Sequence, residues 1–159
     1  MKSKGKDMKK AGFTLTELMV TISIIGLLAV LSVPGFTRFR QNWKLRGEAD
    51  QFAATIRAAR AAAVMKSTNA VFVFNLDERT FFYFEDDNRD GSRDASEYRS
   101  ATYSLDPAIR FAAHTLPGTT LTFGAKGNTP NSGSITLRNS YNSTRRVRIY
   151  GGTGNVTVN

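Results

Sequence analysis

Residues 12–33, GFTLTELMVTISIIGLLAVLSV, decide how the rest of the chain is organised. From Phe13 to Val33 the run is almost unbroken in its apolarity. As a helix rising about 1.5 Å per residue it matches the roughly 30 Å hydrocarbon core of a bilayer. Five lysines, Lys2, Lys4, Lys6, Lys9 and Lys10, precede it. Such a basic flank stays cytoplasmic, so the remainder of the chain is expected to face the periplasm. A secretory signal peptide would share this charge pattern, but no small-x-small cleavage site follows the apolar run. The small residues Ala11-Gly12 stand before it instead.

Glu17 is the anomaly. A carboxylate five residues into a membrane span costs roughly 3 kcal/mol on insertion scales, and such a group normally has a partner. No basic residue lies within the span. The partner therefore comes from another chain or is created by processing, unless Glu17 reaches the headgroups from near the helix end.

Gly12-Phe13-Thr14-Leu15-Thr16-Glu17, the basic leader and the apolar run together resemble the type III signal of type IV prepilins and type II secretion pseudopilins. The resemblance implies cleavage by a prepilin peptidase between Gly12 and Phe13. Methylation of the new amine follows, so that N-methyl-Phe13 is the first mature residue. Glu17 then falls at the fifth mature position, where the family's carboxylate pairs with the terminal amine of an adjacent subunit. The physics agrees, because two charges in lipid are tolerable only when paired, and the pairing favours one axial register.

Pro34-Gly35 comes next, and proline's missing donor and ring clash predict a kink or local unwinding, or simply a boundary. Residues 36–66 then read as a second helical stretch. Leu45, Ala49, Phe52, Ile56, Ala59 and Ala63 recur at three- and four-residue spacing, with Arg46, Asp50, Arg57 and Arg60 mostly off that stripe. Trp43 is expected at an interface or in the core. Residues 45–63, ending in Ala59-Arg60-Ala61-Ala62-Ala63, resemble the helix of the pseudopilin H/FimT family with its A-R-x-x-A pattern before the first strand. The two resemblances cover roughly the first seventy residues.

After Lys66 the hydrophobic period changes to two. Strands are predicted over 70–75 and 80–84, with 76–79 as a turn, and over 98–104, 119–123, 134–138, 145–150 and 155–158. A long N-terminal helix followed by antiparallel strands gives an α+β class, with the helix packed on a β-sheet head in the type IV pilin-like manner. The expected organisation is a leader (1–12), a transmembrane and polymerisation helix (13–35), an amphipathic helix (36–66) and a β-rich periplasmic head (67–159).

Composition narrows the chemistry. The chain has no cysteine, which excludes disulfides and thiolate metal sites, and one histidine, His114, which argues against a histidine-based metal site or catalytic triad. His114 is read as a loop residue and Gly151-Gly152-Thr153-Gly154 as a turn. No serine, lysine or carboxylate pair has a spacing that demands catalysis, so no enzyme and no required cofactor are expected. The net charge of +9 is divided into blocks: a basic leader, six of the thirteen acids within 85–97, and no acid from Pro107 onward.

Two stretches of the head carry candidate chemistry. Residues 86–97, DDNRDGSRDASE, fit the twelve-position calcium loop, with Asp86, Asn88, Asp90, Ser92, Asp94 and Glu97 at positions one, three, five, seven, nine and twelve and Gly91 at six. Arg93 departs from the aliphatic residue usual at position eight, and strand-like flanks exclude an EF-hand pair. The other reading is a solvated acidic hairpin tip. In Arg145-Arg146-Val147-Arg148-Ile149-Tyr150, strand alternation places Arg146, Arg148 and Tyr150 on one face. Arginines beside an aromatic suit phosphate contact and base stacking. The run resembles the G-R-x-R motif of DNA-binding FimT-like minor pilins, with Arg145 in place of the glycine. The alternative is an exposed strand face kept soluble by arginine.

The leading expectation is a structural minor pilin or pseudopilin of a type IV pilus or type II secretion pseudopilus. Its partners would be other pilin subunits, the prepilin peptidase and the inner membrane. The alternative is a DNA-binding minor pilin in DNA uptake, using Arg145, Arg146 and Arg148.

Overall fold

A computed structural model describes residues 12–159, with residues 31–34 described by backbone alone. The expected basic leader therefore lies, but for Gly12, outside the described residues. One helix, α1 (Leu15–Lys66), is followed by eight strands: β1 (Asn69–Asn75), β2 (Thr80–Asp86), β3 (Tyr103–Ser104), β4 (Ile109–His114), β5 (Thr120–Phe123), β6 (Gly133–Asn139), β7 (Thr144–Tyr150) and β8 (Asn155–Val158). The backbone stays helical through Pro34-Gly35, so the chain does not unwind there. Two compact units divide the chain, one ending at Thr37 and the other comprising Arg38–Asn159.

In the first unit α1 opens on a cap. Thr14 Oγ1 accepts a hydrogen bond from the Glu17 amide at 3.2 Å, which satisfies one of the amides a helix start leaves unpaired. The apolar side chains that follow, from Leu15 to Val30, are exposed. Two of the hydroxyls in this stretch bond back to the helix: Thr21 donates to the Glu17 carbonyl at 2.7 Å and Ser23 to the Met19 carbonyl at 2.8 Å. Back-bonding of this kind lets a hydroxyl sit on an apolar helix without an unpaired donor.

The second unit is built around the helix stripe. Leu45, Ala49, Phe52, Ile56, Ala59 and Ala63 are all buried, as the spacing predicts. Trp43 is not core: it is 59% exposed, its ring tilted against Phe39 with centroids 5.9 Å apart. The helix ends in a Schellman arrangement, with Thr68 N donating to Ala63 O at 3.2 Å and Ser67 N to Val64 O at 3.3 Å. Ser67 takes the left-handed conformation (φ 55°) where glycine is usual.

The strands form two four-stranded antiparallel sheets, ordered β3-β2-β1-β5 and β4-β6-β7-β8. β1 and β2 make the predicted hairpin, from Asn69 opposite Asp86 to Asn75 opposite Thr80. Its turn is held by Asn75 Oδ1, which accepts from the amides of Asp77 and Glu78. Both sheets contribute to one core: Ala70, Phe72, Phe74, Phe81, Leu121 and Phe123 from the first, Ile109, Ile135, Leu137, Val147, Ile149 and Val156 from the second.

Two strand expectations are corrected. The stretch 98–104 pairs only at the Phe84–Arg99 bridge and the two residues of β3. Ser100 N still donates to Tyr83 O at 2.9 Å, but the Tyr83 amide is taken by Ser100 Oγ at 3.0 Å in place of a backbone carbonyl. Conversely, 109–114 is a strand that the pattern did not reveal, with a register shift between Phe111 and Ala113 against β6. His114 ends that strand rather than lying in a loop, edge-on to Phe74 at 5.7 Å and with Nδ1 3.2 Å from the Leu116 carbonyl oxygen.

Polar side chains of α1 tie the helix to distant backbone. Arg57 donates to Val156 O at 3.0 Å and Arg60 Nε to Gly127 O at 2.9 Å. Arg60 thus clasps the turn before β6 while Ala59 and Ala63 on either side of it are buried. Gly154 (φ +64°) lies against the Gly127 carbonyl so closely that a Cβ there would overlap it.

Candidate functional site

The sequence pointed to three places: the start of α1, the loop after β2, and β7. The first is the start of α1. Phe13 is exposed, and Glu17 sits in the first helical turn, where its negative charge complements the positive end of the helix dipole. Thr14 and Glu17 have the Thr-x-x-Glu spacing of a capping box, a local signal that marks the helix start in the sequence itself. Half of that box is formed, by Thr14 Oγ1 and the Glu17 amide. Among the described residues no side chain pairs with the Glu17 carboxylate: the two ion pairs are Lys44–Asp106 and Lys66–Glu85. The helix is long and apolar enough to cross a membrane.

The second place is the loop after β2. Asp86, the last residue of that strand, is 1% exposed. Its Oδ2 accepts from the Gly91 amide at 3.2 Å, whereas its Oδ1 is buried with no hydrogen-bond partner among the described residues. Glu97, also buried, accepts from the amides of Asp87 and Asp94, both at 2.9 Å. Asn88 Nδ2 donates to Asp90 and to Asp94, 2.9 Å from each. Ser92 contributes its amide to Asp90 Oδ1 at 2.7 Å. Arg89 and Gly91 adopt positive φ, 62° and 77°. In this arrangement no three His, Cys, Asp or Glu side chains among the described residues stand together as a metal-holding group.

The third place is β7. Val147 and Ile149 are buried while Arg146, Arg148 and Tyr150 are exposed, the alternation the sequence predicts. Across the sheet Arg146 faces Thr136, Arg148 faces Ser134 and Thr157, and Arg138 faces Arg110. The neighbouring Arg148 guanidinium draws the Tyr150 phenol below its ordinary pKa. Arg145 is half-buried and lies apart from that face, beside Phe39, Asn42, Trp43 and Arg46 of the helix. The three arginines of the expected nucleic-acid site are thus divided between two surfaces.

A cluster that sequence reasoning missed joins α1 to the segment before β4. Lys44 Nζ pairs with Asp106 Oδ2 at 2.6 Å, and the Asp106 amide donates to Glu48 Oε1 at 3.3 Å. The Lys44 ammonium holds the Asp106 carboxyl below its ordinary pKa, while burial raises that of Glu48. Partners 58 and 62 positions apart in the chain leave no local signal.

A capped helix of membrane-spanning length with one lone acid in its first turn, and an α+β unit whose helix packs under antiparallel sheets, define a pilin-like subunit. The sequence places it further. The family of the Type II transport protein GspH matches residues 48–153, two-thirds of the chain, and the prokaryotic N-terminal methylation motif matches residues 7–33. The chain belongs to the GspH family. The fold is that of the minor pseudopilin EpsH from the type 2 secretion system of Vibrio cholerae (TM-score 0.57, 12% identity, 73% of this chain and 96% of that one). It is equally that of the type IV minor pilin FimU of Pseudomonas aeruginosa (TM-score 0.58, 16% identity, 76% and 92%). The type IV major pilin protein PilA of Myxococcus xanthus is 44% identical over 36 residues, which are 23% of this chain and 16% of that protein. Arg146 and Arg148 lie on the polar outer face of the second sheet, and Arg145 lies off it.

Proposed function

We propose that this chain is a structural minor pilin or pseudopilin, anchored in the inner membrane by α1 and assembled with other pilin subunits into a type IV pilus or type II secretion pseudopilus. The observation that carries the reading is Glu17: a carboxylate without a partner among the described residues, one turn into an apolar helix whose cap begins two residues after Gly12. Cleavage after Gly12 by the prepilin peptidase would place a new ammonium at Phe13, at the positive end of the helix dipole, where it is unfavourable alone. In lipid that amine and an unpaired carboxylate each lack what the other supplies, and pairing between subunits removes both costs in one register. The exposed side chains of residues 15–30 supply the apolar surface on which such helices bundle.

Intact-mass analysis of the membrane form tests the processing step. The expected chain begins with methylated Phe13 and lacks residues 1–12. A chain retaining Met1 in cells with a working peptidase would overturn it. Assembly is tested by Glu17→Gln, which keeps size and removes charge. The variant should be processed and membrane-inserted but lost from sheared filament fractions. Wild-type recovery of the variant in those fractions would refute the pairing.

A further inference from the structure

We propose that the loop formed by residues 86–97 binds a divalent, oxygen-seeking cation, calcium by its ligand set, at a site whose anchor is Asp86. The loop holds five carboxylates, those of Asp86, Asp87, Asp90, Asp94 and Glu97, against two guanidinium groups, Arg89 and Arg93, a net charge of −3. Charge alone makes no site, and what singles this loop out is Asp86. The residue is 1% exposed, and its Oδ1 is buried without a hydrogen-bond partner among the described residues. No ion pair neutralises it among the described residues. Its sister oxygen, Oδ2, reaches forward to the amide of Gly91, so the carboxylate is turned into the loop. A buried carboxylate oxygen lacking both donor and cation is rare in folded proteins and marks a missing partner.

The remaining oxygens stand at the positions a calcium loop uses: one, three, five, seven through its backbone carbonyl, nine and twelve, with glycine at six. Asp86, Asn88, Asp90, the Ser92 carbonyl and Glu97 would be the direct ligands, with Asp94 at the ninth place. The ends of the loop are already fixed by protein. Glu85 N donates to Tyr98 O at 2.9 Å, and Phe84 bridges to Arg99. Thr68 Oγ1 holds the Asp86 carbonyl at 2.9 Å, which ties position one to the end of α1. Within the loop, nitrogen donors stand where a cation would. Asn88 Nδ2 lies 2.9 Å from both Asp90 Oδ2 and Asp94 Oδ2, and two backbone amides take the oxygens of Glu97. Ion entry exchanges these donors for the metal: the Asn88 amide rotates to present Oδ1, and Glu97 turns from the amides to close the site. Because that exchange gives up hydrogen bonds, the affinity belongs in the weak extracellular range, a Kd of about 10⁻⁴ to 10⁻³ M.

The test uses the full chain in detergent micelles, stripped with a chelator. Calcium chloride is titrated by calorimetry, and thermal unfolding is followed with calcium or magnesium at matched ionic strength. At ten times Kd, calcium should raise the folded-to-unfolded ratio about tenfold, a melting shift of roughly 4–8 °C. Magnesium should give less than half of that. Asp90→Ala, at an exposed position, should fold normally and lose the calcium response. Asp86→Asn keeps an acceptor for the Gly91 amide and should lose it too; if that variant does not fold, Asp90→Ala decides alone. Absence of binding heat and of a calcium shift in the unaltered chain overturns the proposal. So does a magnesium shift equal to that of calcium, or an Asp90→Ala variant that responds like the parent. The readout is stability of the head, so it stands or falls independently of filament assembly.

Discussion

Phe52→Ala should remove a large part of the stability margin of the unit Arg38–Asn159 while leaving the membrane half of the chain untouched. Phe52 is completely buried and stands at the meeting point of the two sheets. Its ring packs edge-on against Phe72, Phe74, Phe81 and Phe111, at centroid distances of 5.3, 6.3, 4.9 and 5.5 Å. Truncation of a core phenylalanine costs about 3–5 kcal/mol, the transfer of the ring plus the cavity left behind. Four aromatic neighbours, each contributing roughly 0.5–1.5 kcal/mol beyond area, place this site near the upper end, about 4–5 kcal/mol. Three of the four come from the hairpin and one from the second sheet, so no single movement refills the space. A domain of this size has about 5–15 kcal/mol in all. The unit has 122 residues (159 − 38 + 1), for which each kcal/mol is worth roughly 4 °C. The melting temperature of the full chain in detergent, read by circular dichroism, should therefore fall by roughly 15–20 °C. Phe52→Leu should fall by much less. Glu17→Gln should not move it, because every residue of the core cluster lies between Leu45 and Val156. A fall of less than about 4 °C for Phe52→Ala would refute the claim that this ring joins the two sheets.

Gly154→Ala should destabilise by about 2–4 kcal/mol in urea unfolding, since it combines a left-handed backbone (φ +64°) with a Cβ set against the Gly127 carbonyl, which cannot swing away as a side chain would. Lys44→Met should cost about 0.2–1 kcal/mol at pH 7, the range of a partly exposed pair. The Asp106 carboxyl is held below its ordinary pKa, so the pair's stabilisation is present above about pH 4 and lost as the pH falls through the lowered value. Parent and variant melting curves should therefore converge as the medium is acidified below that lowered value. Glu48→Gln should behave in the opposite sense. Burial raises that carboxyl, so ionisation is unfavourable in the fold, and stability present below about pH 4 is lost as the pH rises through the raised value. The variant, which keeps an acceptor for the Asp106 amide, should melt higher than the parent at pH 7 and equal to it at pH 3. A Glu48→Gln variant that melts lower at pH 7 would show that the carboxylate's charge is needed there.

What was legible in the sequence is what one segment enforces on itself. The helix stripe from Leu45 to Ala63 is buried residue for residue because 3.6-residue periodicity needs no knowledge of what lies opposite. The alternation of β7 was equally readable, down to which arginines face out. The misses share one cause, a partner distant in sequence. Residues 109–114, IRFAAH, include two alanines of poor strand propensity and a register shift, and only pairing with β6 and the entry of Phe111 into the ring cluster make them a strand. Residues 98–104 fail in the reverse sense: their aromatics suggest a strand, yet Ser100 satisfies the Tyr83 amide with a side chain and the ladder closes only for two residues. The same distinction runs through the candidate sites. A carboxylate in an apolar run is anomalous whatever surrounds it, so Glu17 could be picked out from its neighbours alone. The loop after β2 announced its oxygens by spacing, but not that Asp86 would be buried with an oxygen unanswered among the described residues, because that follows from packing at the strand end, where Thr68 holds the Asp86 backbone carbonyl. A one-dimensional pattern specifies which groups are offered; whether a group is left in need of a partner is decided by packing, and Asp86 is where the two diverge.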